Sequence, residues 1–181
     1  MYGEQYFLLA AVLVTGLAAW FDWRTGHLPN RLTLGTLAAA PFVHAAFGYA
    51  RAGWTGCWQG AAFSVAGAFL CLIVPAILYF VGGIYGGDVK LLGAVGALLL
   101  PMVGMEAELY SFLVAALYAP ARLAWEGKLF HTLGNSALLV RNWFVPKARR
   151  REVPQEMMAE LRFAPSIFAA TCVAVLLHWR V

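Results

Sequence analysis

Apolar residues run along this chain in long unbroken stretches, without the two-residue alternation of a strand or the one-sided stripe of a soluble helix. A helix that crosses the hydrocarbon core of a bilayer needs about 20 such residues. Six stretches approach that length: 5–21, 31–49, 60–82, 88–105, 107–125 and 164–180. Pro165 near the start of the last is tolerated, because the first N–H groups of a helix have no helical partner. Small residues recur in Gly60-Ala61-Ala62, Ala66-Gly67-Ala68 and Gly93-Ala94-Val95-Gly96-Ala97, and they predict places where helix backbones approach closely. The pattern gives an all-α, polytopic integral membrane protein of about six transmembrane helices in one membrane-embedded domain over 1–181.

Composition strengthens this reading. Hydrophobic residues make up 62% of the chain, well above the roughly 45–50% of soluble domains. Seven Trp, seven Tyr and twelve Phe suit aromatic belts at the two membrane interfaces. The opening Met1-Tyr2-Gly3-Glu4 lacks the basic start of a cleaved signal peptide, so the first stretch is expected to be a retained helix. Cys57, Cys71 and Cys172 form neither a C-x-x-C pair nor a Cys/His cluster, which predicts packing roles with no metal and no cofactor.

Charge sets an expected orientation. With the N-terminus outside, Arg24, Arg31, Lys90, Arg122, Arg162 and the basic residues of the 126–163 loop all fall on the cytoplasmic side. Only Arg51 and Arg180 lie outside, as the excess of Lys and Arg in cytoplasmic loops requires. The loop's basic cluster suits anionic membrane lipids. Topology accounts for the charge, so nucleic acid is not an expected partner. Glu106 and Glu108 are expected in a short outer loop, His44 in an interhelical hydrogen bond, His27 in a solvated loop, and His131 and His178 at the interface.

Two residues stand out against this background. Asp22 and Asp88 are the only aspartates, and each lies at the edge of an apolar stretch, where a carboxylate costs several kcal/mol to bury. In the expected topology both lie at the cytoplasmic face. After Asp22, W-R-T-G-H-L-P-N reads as a tight loop: Pro29 disfavours helix at Leu28, and Asn30 is a candidate N-cap. Before Asp88, G-G-I-Y-G-G suits a helix break with room for an extended peptide. Each acid alone has an ordinary reading. Asp22 fits a helix-end carboxylate paired with Arg24, and Asp88 fits an N-terminal acid favoured by the helix dipole.

Together, and in this order, F-D-W-R-T-G-H-L-P-N-R-L and Y-G-G-D-V-K-L-L-G-A resemble the two aspartate motifs of type IV prepilin peptidases, D-x-R-x-x-x-I-P-N and G-x-G-D followed by x-K. The resemblance spans nearly the whole chain. It is closest to the short forms that serve tight-adherence (Flp-type) pili and to archaeal preflagellin peptidases. It implies an aspartic endopeptidase of the bacterial inner membrane that cleaves a basic leader from prepilins, with Asp22 and Asp88 catalytic. Arg24, Pro29, Asn30, Gly86, Gly87 and Lys90 are the supporting motif residues. Tyr85 stands where the pattern has glycine, and Leu28 where it has isoleucine. Residues 22–31 leave no space for the large cytoplasmic loop of the long forms, so cleavage without N-methylation is expected and no methyltransferase domain. Two other classes compete: a non-catalytic membrane subunit of a pilus or secretion assembly, and a small proton or ion transporter. The residues leave open which aspartate would be the base.

Overall fold

The computed structural model describes residues 2–125 and 162–179. The chain divides into two compact units, Met1–Val114 with Arg162–Val181, and Ala115–Leu161. Of the second unit only 115–125 are described, and the 126–163 loop, with His131, lies outside the described residues except for 162 and 163.

Four helices are present among the described residues: α1 (Tyr2–Thr25), α2 (Asn30–Phe80), α3 (Gly86–Trp125) and α4 (Ala164–His178). Three contain stretches long and apolar enough to cross a membrane, Gln5–Thr25, Asn30–Phe80 and Gly86–Tyr118, and α4 is a shorter apolar helix. The described residues are therefore all-helical, with the apolar lengths of a membrane protein. Six separate spanning helices are not found among the described residues.

The difference has a physical cause. Polar and small residues between 49 and 60 read as a loop in the sequence, yet the backbone leaves helical geometry there only at Ala52 and Gly53, where Gly53 takes φ 61°. Helix resumes at once. Across this break the flanking segments press together. A Cβ added to Gly48 would lie 2.0 Å from the Gly56 carbonyl oxygen, and one added to Gly60 would lie 2.4 Å from the His44 carbonyl oxygen. The two halves of α2 thus run back along each other.

A second break falls at Leu100 (φ 64°, ψ 173°), not in the expected loop between 105 and 107. Pro101 follows it, and a residue before proline is disfavoured in the helical region. The positive φ at a leucine stores about 1–3 kcal/mol of strain. Gly104 beyond the break lies against Gly96 before it. This shift overturns the expected outer loop: Glu106 and Glu108 lie within α3. Glu106 Oε2 pairs with His178 Nε2 at 3.5 Å. Glu108 is buried beside Cys71.

A broken helix strands backbone carbonyls, which in lipid must find partners inside the protein. Pro101 has no N–H to offer Ala97. The Ser64 hydroxyl donates to that carbonyl instead, at 2.7 Å. His44 Nε2 donates to the next one, Leu98 O, at 3.0 Å, as the expected interhelical bond of His44. Its ring stacks on Phe7 with centroids 3.7 Å apart.

These contacts surround a core in which every residue from Leu91 to Leu99 is buried. Gly67 of α2 meets Gly96 there, and a Cβ on Gly67 would sit 2.2 Å from the Gly96 carbonyl oxygen. α4 packs along α1, with Phe168 against Gly16. Outward-facing Leu13, Phe69, Leu113 and Leu176 are exposed, as lipid contact requires.

Two outcomes follow. Ser64→Ala with His44→Phe removes both donors and lowers stability in detergent by about 1–3 kcal/mol, read as an earlier denaturation midpoint. Gly67→Leu sharply reduces folded protein in the membrane, whereas Gly35→Ala, with no atom within 4 Å of the new methyl, accumulates normally.

Candidate active site

Asp22 lies in the last turn of α1. The helix ends because Gly26 adopts φ 67°, and its N–H donates to Asp22 O at 3.0 Å, the left-handed closure for which glycine is suited. Thr25 ties the turn together. Its hydroxyl donates to Phe21 O at 2.8 Å and accepts the His27 N–H at 3.3 Å, and His27 Nδ1 lies 3.1 Å from Thr25 O. Four residues later α2 begins. Pro29, not Asn30, occupies the N-cap, with extended φ/ψ and no side-chain cap bond. Its carbonyl accepts the Leu32 and Thr33 N–H groups.

Asn30 is freed for another task. Its Oδ1 accepts a hydrogen bond from Lys90 Nζ at 2.9 Å, joining the start of α2 to the first turn of α3. The Asn30 partnership of Lys90 emerges only from the packing.

The glycines before Asp88 divide their work. Gly82 (φ 79°) and Gly83 end α2: the Gly83 N–H reaches Leu78 O at 2.7 Å and the Gly82 N–H reaches Tyr79 O at 3.0 Å. This paired bonding is the Schellman stop. Gly86 and Gly87 then open α3. A Cβ on Gly87 would meet Leu28 Cδ1 at 3.1 Å, so the lack of a side chain lets the first loop close onto this turn. That contact brings the two aspartates to one end of the bundle.

Asp88 sits in the first turn of α3, and its carboxylate takes the Tyr85 N–H. This is one half of a capping box. Tyr85 itself has an exposed ring and no positive φ, so nothing in this turn demands glycine at that position.

Both carboxylates are buried, Asp22 at 7% and Asp88 at 4% exposure, and Asp88 feels the charge of Asp22. Their surroundings differ. Asp22 faces the Arg162 guanidinium, the Ala164 N–H at the start of α4 and the His27 ring. Its Oδ2 is buried without a hydrogen-bond partner among the described residues. Arg162 also donates to Trp23 O at the end of α1.

Arg24 turns to another partner. Its guanidinium lies over the Trp20 ring, 4.4 Å from the centroid, so the simple helix-end pair with Asp22 is replaced by a partner 140 positions along the chain. No sequence signal marked Arg162 or Ala164 as site residues. Among the described residues no three His, Cys, Asp or Glu side chains converge as a metal site.

A pair of buried carboxylates in electrostatic contact can share a proton and serve as acid and base toward one bound water. No curated protein and no solved structure matches the chain. The model of the type IV leader peptidase family matches residues 7–120, which include both aspartates and well over half of the sequence. On that match the chain belongs to the type IV leader peptidase family.

Proposed function

We propose that this membrane peptidase removes the basic leader from type IV prepilins of the tight-adherence (Flp-like) class, hydrolysing the peptide bond with Asp22, Asp88 and one water. The observation that carries the proposal is the burial of the chain's only two aspartates within electrostatic reach of each other. Neither carboxylate forms part of a metal cluster among the described residues. Two like charges within electrostatic reach of each other in a buried site do not both ionise readily. The pair therefore titrates as a unit, with one member poised to take a proton from water and the other to give one to the scissile carbonyl.

The proposed topology uses each half of α2 and of α3 as a membrane crossing, with reversals at Ala52–Gly53 and Leu100. With α1 and α4 this makes six crossings. The N-terminus lies outside, and the carboxylates face the cytoplasm of a bacterial inner membrane, following the distribution of Lys and Arg. A prepilin offers a cationic leader in the cytoplasm followed by an apolar helix, and the bond to be cut lies at their junction, level with the dyad. The turn 81–85 between α2 and α3 carries exposed Val81, Gly82, Gly83 and Tyr85, a suitable entry for an extended leader. The connection between α1 and α2 spans only 26–29, which supports cleavage without methylation.

A transporter reading would place the acids along a path through the bilayer. Here both sit at the helix ends that meet the 26–29 and 81–85 connections.

Co-expression with a tight-adherence prepilin and immunoblotting for leader removal tests the proposal. Asp22→Asn and Asp88→Asn each lower processing at least 10²-fold while the protein still accumulates in the membrane. Processing that survives either change sinks the dyad. The wild-type rate follows a bell-shaped pH profile, because one carboxyl must be charged and the other protonated.

A further inference from the structure

We propose that Arg162 polarises the carboxylate pair, fixing Asp22 as the charged member that accepts a proton from water and Asp88 as the protonated member that donates to the amide. The inference rests on the dyad reading above and extends it to a residue outside the stretch matched by the family, 7–120.

The cationic groups of the site are distributed unequally. Arg162 donates to Trp23 O, the carbonyl next to Asp22 in the chain, and its charge acts on the Asp22 carboxylate. Two residues later α4 begins, and the Ala164 N–H adds the positive end of that helix to the same carboxylate. His27, in the 26–29 connection, also faces Asp22. On the Asp88 side, among the described residues, stand the Tyr85 N–H and the negative charge of Asp22. Among the described residues, Lys90 is held on Asn30 and Arg24 on Trp20. An opposite charge within about 4–6 Å favours ionisation of a carboxyl by roughly 1–3 pH units, and the partner carboxyl then keeps the shared proton.

The cycle balances with this polarity. Asp22 takes a proton as the water O–H bond breaks and its oxygen bonds to the carbonyl carbon. Asp88 protonates the carbonyl oxygen, giving a neutral gem-diol. The C–N bond then breaks as Asp22 returns its proton to the amide nitrogen and Asp88 recovers one from a gem-diol hydroxyl. Both carboxyls end as they began. The Oδ2 of Asp22, buried and without a hydrogen-bond partner among the described residues, is the atom placed to receive the first proton. Arg162 touches no reacting atom in this scheme and is a positioning residue.

Because the chain has only two aspartates, aspartate labelled with ¹³C at its carboxyl reports the dyad alone by infrared titration of the full-length protein in lipid nanodiscs. In Asp88→Asn protein, adding Arg162→Gln raises the midpoint of Asp22 by about one pH unit or more, and Arg162→Lys restores most of the shift. In Asp22→Asn protein, Arg162→Gln leaves the Asp88 midpoint nearly in place. In the otherwise unaltered protein, Arg162→Gln moves the acidic limb of the processing rate upward by a similar amount, with KM unchanged. Equal shifts at both aspartates, a larger shift at Asp88, or none at either overturns the proposal. Should Arg162→Gln fail to accumulate, the two single-aspartate proteins decide with Arg162 in place: Asp22 titrating below Asp88 supports the assignment, and the reverse order defeats it. Continued processing by the Asp→Asn proteins would remove the dyad itself, whatever the titrations show. Inactive Asp→Asn proteins without the titration asymmetry would remove only the role of Arg162.

Discussion

Two carboxylates kept from water at one end of an apolar bundle are the constraint around which this protein is arranged. Burying one such group costs several kcal/mol, and a second like charge beside it adds to the penalty. The structure meets the cost locally. The Ala164 N–H and the Arg162 guanidinium face Asp22, and the Tyr85 N–H reaches Asp88. Two short connections hold the pair in place. The 26–29 turn carries Leu28 onto Gly87, and Lys90 bonds Asn30 across the same junction.

The remainder of the first unit serves as a rigid support, built under the same rule that polar groups in lipid must be paired internally. The break at Leu100 would leave carbonyls bare in the core. Ser64 and His44, from opposite halves of α2, satisfy Ala97 and Leu98. The same residues thereby fix how α2 sits against α3, and Gly67 against Gly96 lets the two backbones come close enough for those bonds to form. Reversal of the chain, close packing and polar satisfaction are one solution to one problem.

Much of this was legible in the residues. Length of apolar run marks membrane helices because hydrocarbon thickness is fixed. Paired motifs around Asp22 and Asp88 pointed to the family, and the glycines before Asp88 marked a helix stop and restart. The reversals were harder to read. A stretch such as 49–60, in which polar and small residues interrupt the apolar run, looks like a loop, but in a tight helical hairpin the chain turns within one or two residues and the rest stays helical. Leu100 gave little warning, because its neighbour Pro101 is equally at home in the first turn of a new helix. Arg24 shows the limit of adjacency. Two positions from Asp22, it rotates away along the helix to Trp20.

The sequence by itself determined the solvent, the helical class, the family and the identity of the two acids. Those depend on composition, on run length and on short motifs, all of which are local. Only tertiary structure decided that Arg162 and the start of α4 complete the surroundings of Asp22, that Lys90 serves Asn30, and that Glu108 is interior. Each of these depends on segments far apart in the chain being forced together by backbone packing, and the physical reason they escape a linear reading is that electrostatic fields act through space.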